Sequence, residues 1–262
     1  MLALCADLVY YACNTQREDM MRSLAILLFS LAMAGCNFTA DAQEAPSGGG
    51  DVTQRIYPLA GFDAVGLAGS PDMIVTVGGR YSVRAEGDPE MLDRLDLRVE
   101  NGTLKVGYKK GNWSANWGNR AKTRIFVAAP SLRAASLAGS GDIRIDRVQG
   151  DSFDASVAGS GDIAIAQMQV GTASFSIAGS GGISAAGGAQ TASVSIAGSG
   201  DIDAGALQSR TASASVMGSG DVRIRATETA NVSIMGSGDV LVSGSARCTV
   251  NKRGSGSVRC GA

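Results

Sequence analysis

The chain has 262 residues, 23 Lys and Arg against 24 Asp and Glu, and no histidine, for a formal charge of −1. Without histidine there is no imidazole general base, no Ser-His pair and no histidine metal site. Balanced charge points to no nucleic-acid partner, and the 36 glycines make disorder the reading that patterning must exclude.

Residues 1–20 read as an overextended start: Arg17, Glu18 and Asp19 sit just before Met20 and Met21, either of which would open an ordinary leader. Residues 21–35 have a positive start, a short apolar run and small residues at the end, which is a secretory signal peptide and too short for a membrane span. It ends Met33-Ala34-Gly35-Cys36, resembling the bacterial lipobox, with Cys36 lipidated as the mature N-terminus. Cleavage after Ala40-Asp41-Ala42 is the competing reading and would leave a soluble periplasmic or secreted protein. On the lipidated reading Asn37, which is not aspartate, favours the outer membrane, on its periplasmic or surface face. Residues 36–54, containing Pro46-Ser47-Gly48-Gly49-Gly50, form a flexible tether.

Residues 55–262 read as one domain, irregular over 55–130 and regular over 131–262. Strands are expected over 62–67, 73–77 and 81–85, around a corner at Ala68-Gly69-Ser70-Pro71-Asp72. Asp88 followed by Pro89 starts a short helix to Arg94. Strands 97–99 and 104–106 flank Asn101-Gly102, a strong hairpin turn, and a further strand over 124–127 ends at Pro130. These pieces are expected to be the first coils of a solenoid, covering its N-terminal end.

From Leu137 to Val258 the tetrapeptide Gly-Ser-Gly-Asp or a near copy returns seven times, opening at Gly139, Gly159, Gly179, Gly198, Gly218, Gly236 and Gly254. Spacings of 18 to 20 residues mark stacked coils that cannot bury their apolar faces singly. Two residues before each corner stand Leu137, Val157, Ile177, Ile196, Val216 and Ile234, and serines such as Ser174 and Ser176 alternate with them. Period-two alternation with aligned aliphatic slots predicts an all-β fold, a right-handed parallel β-helix or closely related β-solenoid with a polar outer face. In the last coil Lys252 takes the aliphatic slot, a polar cap. Cys248 and Cys260 lie six residues either side of Gly254, placed to form a disulfide or to remain two buried thiols.

Asp142, Asp162, Asp201, Asp221 and Asp239 recur at one place in the coil, interrupted by Gly182. They suggest either calcium or, in the plainer reading, carboxylates accepting backbone N–H groups at their own corners. No paired acids stand in an aromatic groove, so a carbohydrate-active enzyme is the remote alternative, and no cofactor is implied. The binding candidate is Tyr108–Arg124, which carries Trp113 and Trp117 among Lys109, Lys110 and Arg120. Exposed tryptophan beside cations suits a glycan or protein ligand. The alternative is a long hairpin tip whose tryptophans cover one end of the core.

Phe62-Asp63-Ala64-Val65 leading to Leu67-Ala68-Gly69-Ser70, Gly87-Asp88 with Leu92, Asn101-Gly102-Thr103-Leu104, Pro130 and the Gly-Ser-Gly-Asp-Ile coils resemble the family described as putative auto-transporter adhesin, head GIN domain. The resemblance spans about residues 55–260. It implies exported bacterial β-solenoids, many of them lipoproteins, without established enzyme activity. The expectation is therefore a non-enzymatic cell-envelope protein, an adhesin or ligand-binding solenoid held to the membrane by its lipid. A purely structural envelope protein is the alternative.

Overall fold

The computed structural model describes residues 53–109, 111 and 122–261. All of them lie in one compact unit, Gly48–Ala262. The chain is a β-solenoid. Each rung has a front strand that runs into the glycine corner and a rear strand that leaves it.

The regular coils follow from the alternation. Strands β10 (Val148–Gly159), β11 (Asp162–Gly179), β12 (Gly182–Gly198), β13 (Asp201–Gly218) and β14 (Val222–Gly236) stack in parallel, with Val157, Ile177, Ile196, Val216 and Ile234 in one column. Those five are at most 2 % exposed, and each such side chain contributes roughly 1.5–3 kcal/mol by leaving water. A ladder of Thr172, Thr191, Thr211 and Thr229 faces out at the far side of the same sheet.

The corner needs glycine for two reasons. Gly159 has φ +138°, and a Cβ on it would collide with the Gly139 carbonyl oxygen of the rung before. Identical corners can therefore stack at the spacing of neighbouring strands.

The irregular half departs from the expected order of coils. Front strands β2 (Ala64–Gly69), β6 (Thr103–Tyr108) and β8 (Ala134–Gly139) and rear strands β3 (Asp72–Val77), β7 (Arg124–Ala129) and β9 (Ile143–Ile145) form three rungs. β2 pairs in parallel with both β6 and β8, and β3 with both β7 and β9. The first coil in sequence is thus the second in space. The chain drops below it to build β6–β7, then returns above it to begin the regular stack.

That descent is made by antiparallel elements. β4 (Ser82–Gly87) pairs with β7 and with β1 (Thr53–Tyr57), while β5 (Leu95–Glu100) pairs with β6 across Asn101 and Gly102, both at positive φ. Helix α1 (Pro89–Arg94) joins them, with the Asp88 carboxylate accepting the Glu90 and Met91 amides. It buries Met91 and Leu92 and closes this end of the core. The other end finishes on β15 (Val240–Ser243), β16 (Arg247–Arg253) and β17 (Val258–Cys260).

Candidate ligand-binding corner

In the rung β6–β7 the glycine corner is replaced. Register places Tyr108 over Gly69 and Arg124 beside Asp72, so the sequence between these strands, 109–123, is far longer than the Ser70-Pro71 that joins the strands of the next rung. β6 pairs with β2 and β5, and β7 with β3 and β4. These two strands are opposite sides of one coil and do not pair with each other as the arms of a hairpin.

Both feet of the insertion are fixed. The Lys109 amide donates to the Arg94 carbonyl at 2.8 Å, and its ammonium donates to the Asp93 carbonyl at 2.9 Å, where the dipole of α1 is negative. That ammonium serves the helix end, a role its place in the basic cluster did not suggest. At the other foot Lys122 Nζ meets Asp72 Oδ1 at 2.7 Å, and the Asp72 amide donates to the Thr123 carbonyl at 3.0 Å. Asp72 is 6 % exposed, so the pair holds a carboxylate that would otherwise be buried without a counter-charge. Lys110, Trp113, Trp117 and Arg120 lie outside the described residues.

Beside these feet the front sheet is hollowed. A depression of about 500 Å³ has Gly66 and Gly107 in its floor and Asp96, Arg98, Lys105 and Tyr108 around it. The outward column of β2 holds Gly66 where β8 holds Ser136, and the missing side chain makes the hollow. Arg98 pairs with Asp96 and Glu100, and Lys105 Nζ meets Glu100 at 2.6 Å. Hydrogen bonds from Lys105 and then Arg98 hold the Glu100 carboxyl below its ordinary value. The rim is polar and internally neutralised, which suits an uncharged, hydroxyl-rich ligand better than an ion.

Tyr108 is the common wall of this depression and of a second hollow of about 390 Å³ running along Gly69, Ser70, Gly139 and Ser140. Burial raises its phenol above the ordinary value, opposed by hydrogen bonds with Thr123 and Ser70. Gly66 and Gly107 were not singled out from sequence, whereas Tyr108 opens the candidate binding segment. The signal was present as a glycine in a column otherwise filled, but the column becomes visible when β2 is placed between β6 and β8.

The aspartate row is wired between rungs. Asp142 Oδ1 accepts the Asp162 amide at 3.3 Å, Asp162 the Gly182 amide at 2.7 Å, Asp201 the Asp221 amide at 2.9 Å and Asp221 the Asp239 amide at 2.9 Å. Asp239 accepts both the amide and hydroxyl of Ser257 at 2.8 and 2.9 Å. Each carboxylate therefore serves the next coil, whereas the sequence reading had it serve its own corner. Among the described residues no three acidic or thiol groups converge to hold a metal ion.

Cys248 and Cys260 form a disulfide across the last corner, with Cα atoms 6.5 Å apart. Cys248 is half-buried and Cys260 exposed, because the final rung has no neighbour to cover it. Cys36 lies outside the described residues.

The family model described as "Putative auto-transporter adhesin, head GIN domain" matches residues 61–246. No curated protein matches the chain. A crystal structure of a "putative adhesin" from Bacteroides fragilis superposes with a TM-score of 0.73 at 24% identity, covering 79% of this chain and 96% of that one. A "putative lipid binding protein" from Parabacteroides distasonis gives 0.65 at 25% identity, covering 80% and 96%. A "putative adhesin" from the same organism gives 0.65 at 20%, covering 80% and 97%. The family and the two adhesin structures carry adhesin descriptions and no enzyme name.

Proposed function

Because the chain belongs to the family of putative auto-transporter adhesin, head GIN domains, we propose that it is an exported, non-enzymatic adhesin-like protein. It holds a hydroxyl-rich ligand of the glycan class at the corner insertion between Tyr108 and Arg124. The observation that carries this reading is coincidence in space. The coil that abandons the glycine corner carries Gly107, the coil beside it carries Gly66, the hollow lies across the two, and Tyr108 belongs to both corner and hollow. Repeating coils supply rigidity, while loops placed on a rigid scaffold supply binding groups. Trp113 and Trp117 provide flat apolar faces for sugar rings, with Lys110 and Arg120 beside them.

The anchor is part of the proposal. Cys36 carries the lipid, and residues 37–54 tether the solenoid to the outer membrane. Intact mass of protein from native membranes decides this point: a diacylglyceryl adduct on Cys36 supports the anchor, and a species starting at Gln43 makes the protein diffusible.

The binding test is a glycan array probed with the full chain and with Trp113→Ala/Trp117→Ala. Glycan capture lost in the variant, with an unchanged unfolding midpoint, is the expected result. Capture that survives both substitutions moves the site elsewhere. Absence of any capture by the parent chain returns the protein to a structural role in the envelope.

A further inference from the structure

We propose that the C-terminal end of the solenoid is a docking surface for an anionic phospholipid bilayer. The last coil, Arg247–Cys260, carries Arg247, Lys252, Arg253 and Arg259 and no acidic residue. All four are exposed. Lys252 also donates to the Gly256 carbonyl at 2.9 Å. Among the described residues no ion pair engages Arg247, Arg253 or Arg259. Of the nearby acids, Asp239 accepts from Ser257 and attracts Arg259 and Lys252 at longer range. Glu228 pairs with Arg210 at 2.8 Å, which leaves Arg247 and Arg253 without an acidic neighbour in contact among the described residues.

The second observation is apolar. Large hydrophobic side chains exposed among the described residues are Ile56, Tyr81, Met217, Met235 and Val250, and the last three sit at this end. Met217, Met235 and Arg253 form one outward column, in which the preceding coils carry Ala158, Ala178 and Ala197. The column thus changes from methyl groups to two long thioethers, 52% and 56% exposed, and then to a guanidinium as it reaches the end. Flexible apolar side chains beside exposed cations match the boundary between acyl chains and phosphate headgroups.

A second copy of the chain fits this end less well. Like charge opposes pairing of two such ends, and Lys and Arg on an edge strand discourage strand addition. At the opposite end the acids of β5 are already paired with Arg98 and Lys105. An anionic bilayer supplies the missing charge and accepts the methionines together.

The test is sedimentation of the full chain carrying Cys36→Ser, which removes the lipid anchor, with vesicles of phosphatidylcholine alone or with about 30% phosphatidylglycerol. The leader binds both vesicles through its apolar run, so the readout is the anionic-to-neutral ratio. The expected ratio is at least about tenfold, shrinking toward one as salt is raised to roughly 0.5 M. Reversal in Arg247→Glu/Arg253→Glu/Arg259→Glu abolishes the preference. Met217→Ser/Met235→Ser weakens binding to anionic vesicles and keeps the preference. If the charge-reversal variant fails to fold by circular dichroism, the three arginines are changed to glutamine and the same loss is expected. A ratio near one in the parent, or a preference that survives these changes in folded protein, overturns the proposal.

Discussion

The ring of Tyr108 lies over the backbone of Gly69, its Cδ2 and Cε2 atoms 3.4 Å from where a Gly69 Cβ would stand. Elsewhere in the corner column the atom above a glycine belongs to another glycine corner. A side chain that can shift has replaced a backbone that cannot, and this marks the rung in which the repeat gives way to the insertion.

The first prediction compares two corners. Gly159→Ala forces a Cβ against the Gly139 carbonyl and strains φ +138°, and is expected to cost on the order of 3 kcal/mol or more. Gly69→Ala strains φ +109° but meets a ring that can move, and is expected to cost about 1–2 kcal/mol. Urea unfolding midpoints at matched slopes rank the two.

The second prediction concerns the aspartate row. Asp162→Ala leaves the Gly182 amide without its acceptor and is expected to cost about 1 kcal/mol, the site being partly open to water. Asp162→Asn keeps an Oδ1 acceptor and should recover most of that loss. Calcium or a chelator is expected to leave the melting temperature of the parent unchanged, since each carboxylate is spent on a neighbouring coil. A clear calcium-induced rise in melting temperature would return the row to metal binding.

The third prediction tests the Cys248–Cys260 link, which closes a short loop of sequence separation 12. Unreduced protein should be lighter than its reduced form by the two thiol hydrogens. Cys248→Ser/Cys260→Ser is expected to lose about 3 kcal/mol of loop-closure stabilisation. Hydrogen exchange should place the loss in β16 and β17, the coil that has neighbours on one side alone.

The fourth prediction is a pH dependence at that same coil. The backbone hydrogen bond from Ser257, then its hydroxyl, hold Asp239 below the ordinary carboxyl value of 3.8. With the folded value below the unfolded one, protons bind the opened state more tightly. The contribution is present above pH 3.8 and is lost as pH falls through the folded value. Protection of the Ser257–Cys260 amides, corrected for the intrinsic pH dependence of exchange, should fall in that acid window, and Asp239→Asn should flatten the response. Exchange that is equally pH-dependent in the variant would move the cause to another group.

The amino-acid sequence by itself determined the repeating part of this protein. The 18-to-20-residue return of Gly-Ser-Gly-Asp, the alternation around Ile177 and Ile196 and the Asn101-Gly102 turn are local signals. A strand shows which residues face inward, and a turn shows where positive φ is needed, within a few residues of chain. The short helix Pro89–Arg94 was legible for the same reason, from its cap and its proline. What sequence could not order was the stack. That β2 lies between β6 and β8 depends on contacts between residues far apart in the chain, for which no local periodicity exists. Three further features followed from that placement. The aspartates bond across coils, β6 and β7 lie on opposite sides of one coil, and Gly66 and Gly107 share the hollow beside Tyr108. A strand's own residues declare which face it buries. Which strand lies beside it is settled by closure of the common core, and here that closure put the β6–β7 corner in the coil beneath the first.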